Sequence, residues 1–426
     1  MFSVSGVLIA LVITSLLSLG SVPILVWMER RVAAFIQDRL GPNRSHIFGF
    51  RIGGLVQSFA DMLKLVVKEE FYPKHIKFKF YYLLAPAIVF GASYLTFAVI
   101  PYSNTLLTDK GLSVVQLLPT ELGVLCFVGL AGLSIYGIIL AGWSSHNKYG
   151  ILGSLRATAQ VISYEVSMGL VIVSMLLTYG TIYLNGMVDV QGGLVFGFLP
   201  AWGIIIQPLA GIIFIITAFA ETNRAPFDVA EGESEIVAGY HTEYSAMKFA
   251  LFFMGEYVAM AASSALIVTM FFGGYHLPWL DSAALLDNPK ILLGSIGVIL
   301  VPLLGGMIYW MRKNNRIKGI NEPQHARETK VLTIILAITL VVSELGILSL
   351  LNADMSPQVA SYIATTTQVL TIVAKIFMMN FVFIWVRWTL PRFRYDQIQS
   401  LGWNILLPLA IANVIITAIV IVMLGV

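Results

Sequence analysis

An all-α, polytopic integral membrane protein is what this sequence predicts, from its composition, its apolar runs and the placement of its basic residues. Of the 426 residues, 58% are hydrophobic and only 12% charged, and the mean hydropathy is +0.85. A water-facing surface needs far more charge than that. Apolar runs long enough to cross a bilayer, roughly 20 residues each, recur about ten times, and Lys and Arg gather in alternate connections, as they do in loops held on the cytoplasmic side. The same composition excludes other classes. A net charge of +3 is too small to imply a nucleic-acid partner. The single cysteine, Cys126, allows no internal disulfide and no cluster able to hold an iron–sulfur centre or structural zinc.

The spans are expected near Gly6 to Trp27, Tyr82 to Ile100, Leu117 to Ala141, Val161 to Ile182, Pro200 to Ala220, Lys248 to Phe272, Ile291 to Met311, Val331 to Leu351, Thr365 to Arg387 and Trp403 to Leu424. The first has no basic leader and is followed by Glu29, Arg30 and Arg31, so it reads as a retained helix and not a signal peptide. With the N-terminus outside, the inside connections carry Arg30, Arg31, Arg39, Arg44 and Arg51, then Lys148 and Arg156, then Arg224, then Arg312, Lys313, Arg316 and Lys318, then Arg387, Arg392 and Arg394. The opposite loops hold only Lys110 and Lys290, which places both termini outside.

Two connections are unusual. In the segment 52–70, Ile52, Leu55, Val56, Phe59, Met62, Leu63, Val66 and Val67 recur at helical spacing while Asp61, Lys64 and Lys68 line another face. This is an amphipathic helix expected to lie on the cytoplasmic membrane surface. The second is the acidic connection 221–247. With Glu256 just beyond it, it gathers Glu221, Asp228, Glu231, Glu233, Glu235 and Glu243, so that seven of the 23 carboxylates crowd beside membrane helices. Pro226 suits the first turn of a helix, and Arg224 is four residues from Asp228, a spacing that permits a local ion pair. Crowded, partly buried carboxylates repel unless they take up protons or find cations, so such a cluster can store and pass protons. A solvated acidic loop is the plain alternative; the Ala, Val, Ile and Gly interleaved with the acids favour enclosure. Glu165, in the first turns of the fourth span, and Glu256, within the sixth, are intramembrane acids that need interior partners. For Glu121 a structural hydrogen bond is the favoured reading, and Glu344 suits either role. The histidines are too scattered for metal-ligand spacing, and there is no phosphate loop, nucleotide fingerprint or nucleophile triad.

ETNRAPFDVAEGESEIVAGYHTEY with FALFFMGEYVAM resembles the signature of the subunit 1 family, the quinone-module membrane subunits of respiratory complex I, the proton-pumping NADH:quinone oxidoreductase. MERRVAAFIQDRLGPNR, FADMLKLVVKEE, KYGILGSLRATAQVISYEV and WVRWTLPRFRYDQIQSLGWNILLPL resemble it too, and together they cover most of the chain in the family's order. The resemblance implies a long chamber for a quinone headgroup, ubiquinone or menaquinone, as substrate. It implies no covalently bound cofactor, no iron–sulfur cluster and no NADH site in this chain, which would be inactive alone. The partners implied are the other membrane subunits, the peripheral iron–sulfur and quinone-site subunits, and the lipid bilayer, in a bacterial inner (plasma) membrane. By motif, Glu29, Arg30, Arg39, Asp61, Lys64, Arg224 and Asp228 match chamber positions. Glu221, Glu231, Glu233 and Glu235 match the acidic funnel, Glu165 and Glu256 inner carboxylates, and Arg156 a cationic neighbour, all of them with Glu243 on the implied proton path. Residues 273–363 form an inserted pair of spans that shorter family members lack.

Other readings share some of these features. Membrane subunits of energy-converting hydrogenases, and of ferredoxin- or deazaflavin-linked quinone reductases, have the acidic loop but keep less of the motif set. A secondary cation transporter would also bury acids, but would work alone. A purely structural anchor would not require Glu165 and Glu256 in the membrane.

Overall fold

The computed structural model describes residues 4–48, 50–109, 111–230, 238–314, 323–352 and 355–424. Its helices are α1 (Val4–Ile36), α2 (Val56–Val67), α3 (Lys79–Val99), α4 (Gly123–Ser144), α5 (Lys148–Tyr179), α6 (Leu184–Val190), α7 (Pro208–Glu221), α8 (Ala246–Phe271), α9 (Ser282–Asp287), α10 (Pro289–Asn314), α11 (Pro323–Asn352), α12 (Pro357–Thr389) and α13 (Tyr395–Met423). Among the described residues nine of these are long and apolar enough to cross a membrane, so the chain is a polytopic all-α membrane protein.

The expected fifth span is different. It is broken into one turn, Gly203–Ile206, and the 14-residue α7, which starts on Pro208. Proline lacks the N–H that would continue the turn but suits the first helical position. At about 1.5 Å per residue α7 reaches roughly 21 Å, short of the hydrocarbon core. Gln207 fills the break, its Oε1 accepting from Asn413 Nδ2 of α13 at 3.2 Å.

Helix α5 begins at Lys148, thirteen residues before the expected Val161, because Asn147 caps it by accepting from the Tyr149 N–H. Arg156 therefore lies on a helix and not in a loop. Glu165, expected in the first turns, is mid-helix. Helix α4 starts at Gly123, later than the expected Leu117; the chain before it forms an antiparallel hairpin, β1 (Ser103–Thr108) and β2 (Gly111–Val115). The hairpin is tied to α12 through Ser103 Oγ–Gln368 Oε1 (2.6 Å) and Leu107 N–Ser361 Oγ (2.6 Å). Two long helices carry π-helical turns, Leu16–Gly20 in α1 and Leu401–Leu406 in α13. Each precedes a proline, Pro23 or Pro408, whose missing N–H leaves the carbonyl four residues earlier without its usual donor.

Helix α8 is central. Of its most apolar stretch 72% is buried, against 17% for α10 and 6% for α11, so the pair α10–α11 is peripheral. Glycine permits a close backbone approach here: a Cβ on Gly153 of α5 would lie 2.7 Å from Gly239 Cα and 2.9 Å from the Tyr240 amide. Backbone on both sides cannot rotate away, so Gly153→Ala is expected to lower the melting temperature of the assembled protein, with a loss of about 2 kcal/mol typical of overpacking.

At the far end of α8, Lys375 of α12 donates to the carbonyls of Phe272 (2.7 Å), Gly274 (2.9 Å) and His276 (2.6 Å). The ammonium there satisfies the C-cap carbonyl of α8 and two carbonyls of the loop that follows. His276, in the following loop, is 2% exposed. Burial, and then the Lys375 charge, lower its pKa from 6.5 to about 4. The folded state thus favours the neutral ring: stability is full above pH 6.5 and falls as the pH drops through the interval down to about 4. We expect stability against thermal unfolding to be lower at pH 5 than at pH 7 by about 2 kcal/mol at most, and His276→Gln to remove most of the difference.

Candidate functional site

Where the inner ends of α1, α7 and α12 meet α8, five charged or phenolic side chains converge. Glu29 comes from α1, Arg224 from three residues beyond α7, Glu256 and Tyr257 from α8, and Arg387 from the last turn of α12. The sidedness pattern requires the ends of the first, fifth and ninth spans on one side, and they are adjacent. Asn223, with φ +48°, turns the chain out of α7, a conformation asparagine tolerates better than most residues.

Arg224, 4% exposed, lies with Nη1 3.5 Å from Glu29 Oε2 and Nη2 3.7 Å from Glu256 Oε2. Its Cζ is 3.9 Å from the Tyr257 ring centre, a cation–π contact. Tyr257 donates its hydroxyl to Glu29 Oε2 at 2.6 Å, and Arg387 Nη1 reaches Glu29 Oε1 at 2.9 Å. Tyr240 (3.3 Å) and His241 (4.0 Å) face Glu256 Oε1. Burial alone works against the charge on Arg224, but Tyr257, Glu256 and Glu29 outweigh it and raise its pKa above the ordinary value. Both ion pairs of Arg224 are longer than a charge-assisted hydrogen bond. Among the described residues its Nε and Nη2 have no hydrogen-bond acceptor.

The local pair expected between Arg224 and Asp228 does not form. Residues 222–230 run as turns, with a cis Ala225–Pro226 peptide, and not as the helix Pro226 suggested. Helical i,i+4 geometry is therefore absent. Asp228 instead meets Arg392 Nη2 at 2.8 Å, beside a backbone bond from Phe393 N to Pro226 O at 3.1 Å.

Two further acids lie deeper among the helices. Glu221 closes α7 and lines a cavity of about 30 Å³ with Ser93, Thr96, Ser134, Thr222 and Ser263; this is room for about two water molecules among hydroxyls that can hold them. Gln160 of α5 donates to Ala220 O at 2.7 Å and fixes that end of α7. Glu165 is within Coulombic reach of Glu221 and faces Gly132 of α4, where a Cβ would sit 2.9 Å from its Oε1.

The remaining expected residues divide. Arg30 and Asp61 form an ion pair between α1 and α2. Arg39 is exposed and donates to Gln37 Oε1 at 2.7 Å, and Lys64 is exposed in the last turn of α2; neither joins the buried network. Arg156 and Glu165 are nine residues apart on one helix, about 13.5 Å of rise and half a turn in angle, so they occupy opposite faces; Arg156 stacks over Tyr395 at 5.4 Å. Glu243 accepts from Asn147 Nδ2 at 2.8 Å near His75, apart from Glu256. Glu231, Glu233 and Glu235 lie outside the described residues. No group of three His, Cys, Asp or Glu able to hold a metal occurs among the described residues. Arg387, Arg392 and Tyr257 were not expected in the site. The signal was the basic cluster closing the ninth span, which hydropathy reads only as a sidedness marker.

A family model described as NADH dehydrogenase matches residues 8–418. The chain is 38% identical over 433 residues to an NADH-quinone oxidoreductase subunit of Bdellovibrio bacteriovorus, covering 96% of this chain and 94% of the relative. It is 39% identical over 407 residues to the corresponding NADH-quinone oxidoreductase subunit of Salinibacter ruber, covering 95% and 93%. To NADH-quinone oxidoreductase subunit 8 of Rhodothermus marinus it is 37% identical over 410 residues, covering 96% and 94%.

Proposed function

The chain belongs to the NADH dehydrogenase family, and from that premise we propose that it is the quinone-chamber membrane subunit of a complex I, seated in a bacterial inner membrane beside membrane and peripheral iron–sulfur subunits. The observation that carries this reading is Arg224: a buried guanidinium between Glu29 and Glu256 whose Nε and Nη2 have no hydrogen-bond acceptor among the described residues. Reduction of a quinone to a quinol adds two electrons and two protons, and puts transient negative charge on ring oxygens in a medium of low dielectric. Preorganised cations stabilise that charge far more than water-exposed ones would. Arg224 and Arg387 supply it from one network, and Arg392, held by Asp228, lies at the mouth of the 222–230 turn.

The same network gives the electrostatic event somewhere to go. Glu29 and Glu256 are balanced by cations whose pull changes when an anionic ring oxygen competes for them. Glu221, three residues before Arg224, opens onto the hydroxyl-lined cavity, and Glu165 lies beyond it within Coulombic reach. A proton held on one carboxylate can therefore be drawn to the next without electrons passing through this chain. The amphipathic α2 carries Asp61, paired with Arg30, and forms the membrane-surface side of the chamber.

The donor is tested by purifying the tagged chain with its bound subunits from native membranes. Quinone reduction by NADH is expected to copurify. Quinone reduction or hydrogen evolution driven only by a ferredoxin-type donor, with no NADH activity, would favour the hydrogenase-type relatives.

A further inference from the structure

Two charged residues outside this site are joined across 277 positions. Glu328, in α11 of the inserted pair, is 6% exposed. Its Oε1 accepts from the backbone N–H groups of Arg51 (3.1 Å) and Ile52 (2.8 Å), and its Oε2 from Arg51 Nε (3.1 Å). Arg51 Nη1 in turn donates to the backbone and side-chain oxygens of Asn43 at 3.3 and 3.2 Å. Ile52 has φ +48°. A β-branched residue is an outlier there and stays so only when its surroundings impose it. Glu328 provides that hold, gripping two consecutive N–H groups at the strained residue.

The turn so fixed leads directly to α2. The Gly53 carbonyl accepts from Trp27 Nε1 and Arg31 Nε of α1, each at 3.0 Å. Gly54 has φ +95°, and a Cβ there would meet the Pro42 carbonyl at 2.3 Å. Within α2, Gln57 Nε2 donates to Asp61 Oδ1 at 2.9 Å, and Asp61 is the acid paired with Arg30. An unbroken run of bonds thus connects α11 to that pair.

We propose that the inserted helix pair braces the mouth of the quinone chamber, with Glu328 as a positioning residue that acts through the 51–54 turn on α2 and Asp61. This rests on the assignment of α2 and the Arg30–Asp61 pair to the chamber. The brace holds the mouth in its open geometry in advance of binding, so its loss falls on quinone capture and not on the electron-transfer step.

The test uses membranes carrying the assembled complex, with NADH oxidation by a soluble acceptor counting the complex in each variant. Glu328→Gln is expected to raise the apparent KM for a short-chain quinone about tenfold with kcat within about twofold. Adding Ile52→Gly, which accepts the positive φ without strain, is expected to recover most of that rise, whereas a general loss of stability would be deepened by a change to glycine. Unchanged KM in an assembled E328Q complex, or a rise that I52G does not reduce, overturns the brace. If E328Q does not assemble, Arg51→Gln, which leaves Glu328 its two backbone donors, is expected to raise KM about threefold; no rise, or no assembly in either variant, also overturns it. Arg224→Ala serves as the control. If it retains full quinone turnover, the chamber assignment itself fails; if it loses turnover while E328Q keeps the native KM, only the brace fails.

Discussion

Replacing Arg224 by alanine is expected to lower NADH-driven quinone reduction about a hundredfold, the effect of removing a preorganised charge donor, while NADH oxidation by a soluble acceptor continues at the native rate. Two effects act together. The substitution removes the buried donors that would meet the quinone oxygen, and it leaves Glu29 and Glu256 facing each other without the cation between them. Stranding a buried charge is strongly destabilising, but Glu29 keeps Arg387 at 2.9 Å and the Tyr257 hydroxyl, so the fold should survive. Arg224→Lys, which keeps the charge but not the planar donor fork, is expected to recover only part of the activity. Parallel loss of both activities would instead mean failed assembly.

The second large effect concerns the inner acids. Glu221→Gln and Glu165→Gln keep the side-chain volume and remove the exchangeable proton. Glu221 opens onto the hydroxyl-lined cavity and Glu165 lies within Coulombic reach of it, so on the proposed proton path either change removes one carrier. Proton uptake measured by a pH-sensitive dye in sealed vesicles is expected to drop about tenfold per NADH oxidised, the scale of losing one positioned proton carrier. Glu121→Gln, at an exposed position before α4, is expected to leave it unchanged. Equal pumping in all three variants would remove these two residues from the path.

The spans were legible because hydropathy is a property of segments, and a bilayer selects segments by length. Their ends were less so. Helix α5 already includes YGILGSLRATAQ because an asparagine cap starts it at Lys148, ahead of the apolar stretch, and a hydropathy window does not register a cap. The broken span at Pro208 was hidden for the opposite reason: WGIIIQPLAGIIFIITAFA is apolar throughout, and one proline decides where the helix starts. The β1–β2 hairpin lies in a stretch whose anchors, Ser361 and Gln368, are about 250 residues away.

The site was legible by residue and not by partner. Glu29, Arg224 and Glu256 were all singled out, but spacing along the chain offered Asp228 as the partner of Arg224. The true partners are 195 and 32 positions away, and the pair to Glu29 from Arg387 spans 358. Sequence spacing speaks only for residues on one regular element, and residues 222–230 are not on one. Glu328 escaped notice because a polar connection between spans is expected to be wet, while here its carboxylate is buried against a turn nearly 280 residues earlier in the chain.

The most direct measurement is photolabelling of the assembled complex with a quinone that carries its photoreactive group on the ring, followed by mass spectrometry of the digested chain. If the Arg224 network lines the quinone chamber, adducts should fall within residues 224–230 and on α2, and excess unlabelled quinone should abolish them. Adducts confined to peripheral helices such as α11, or undiminished by competing quinone, would contradict the assignment.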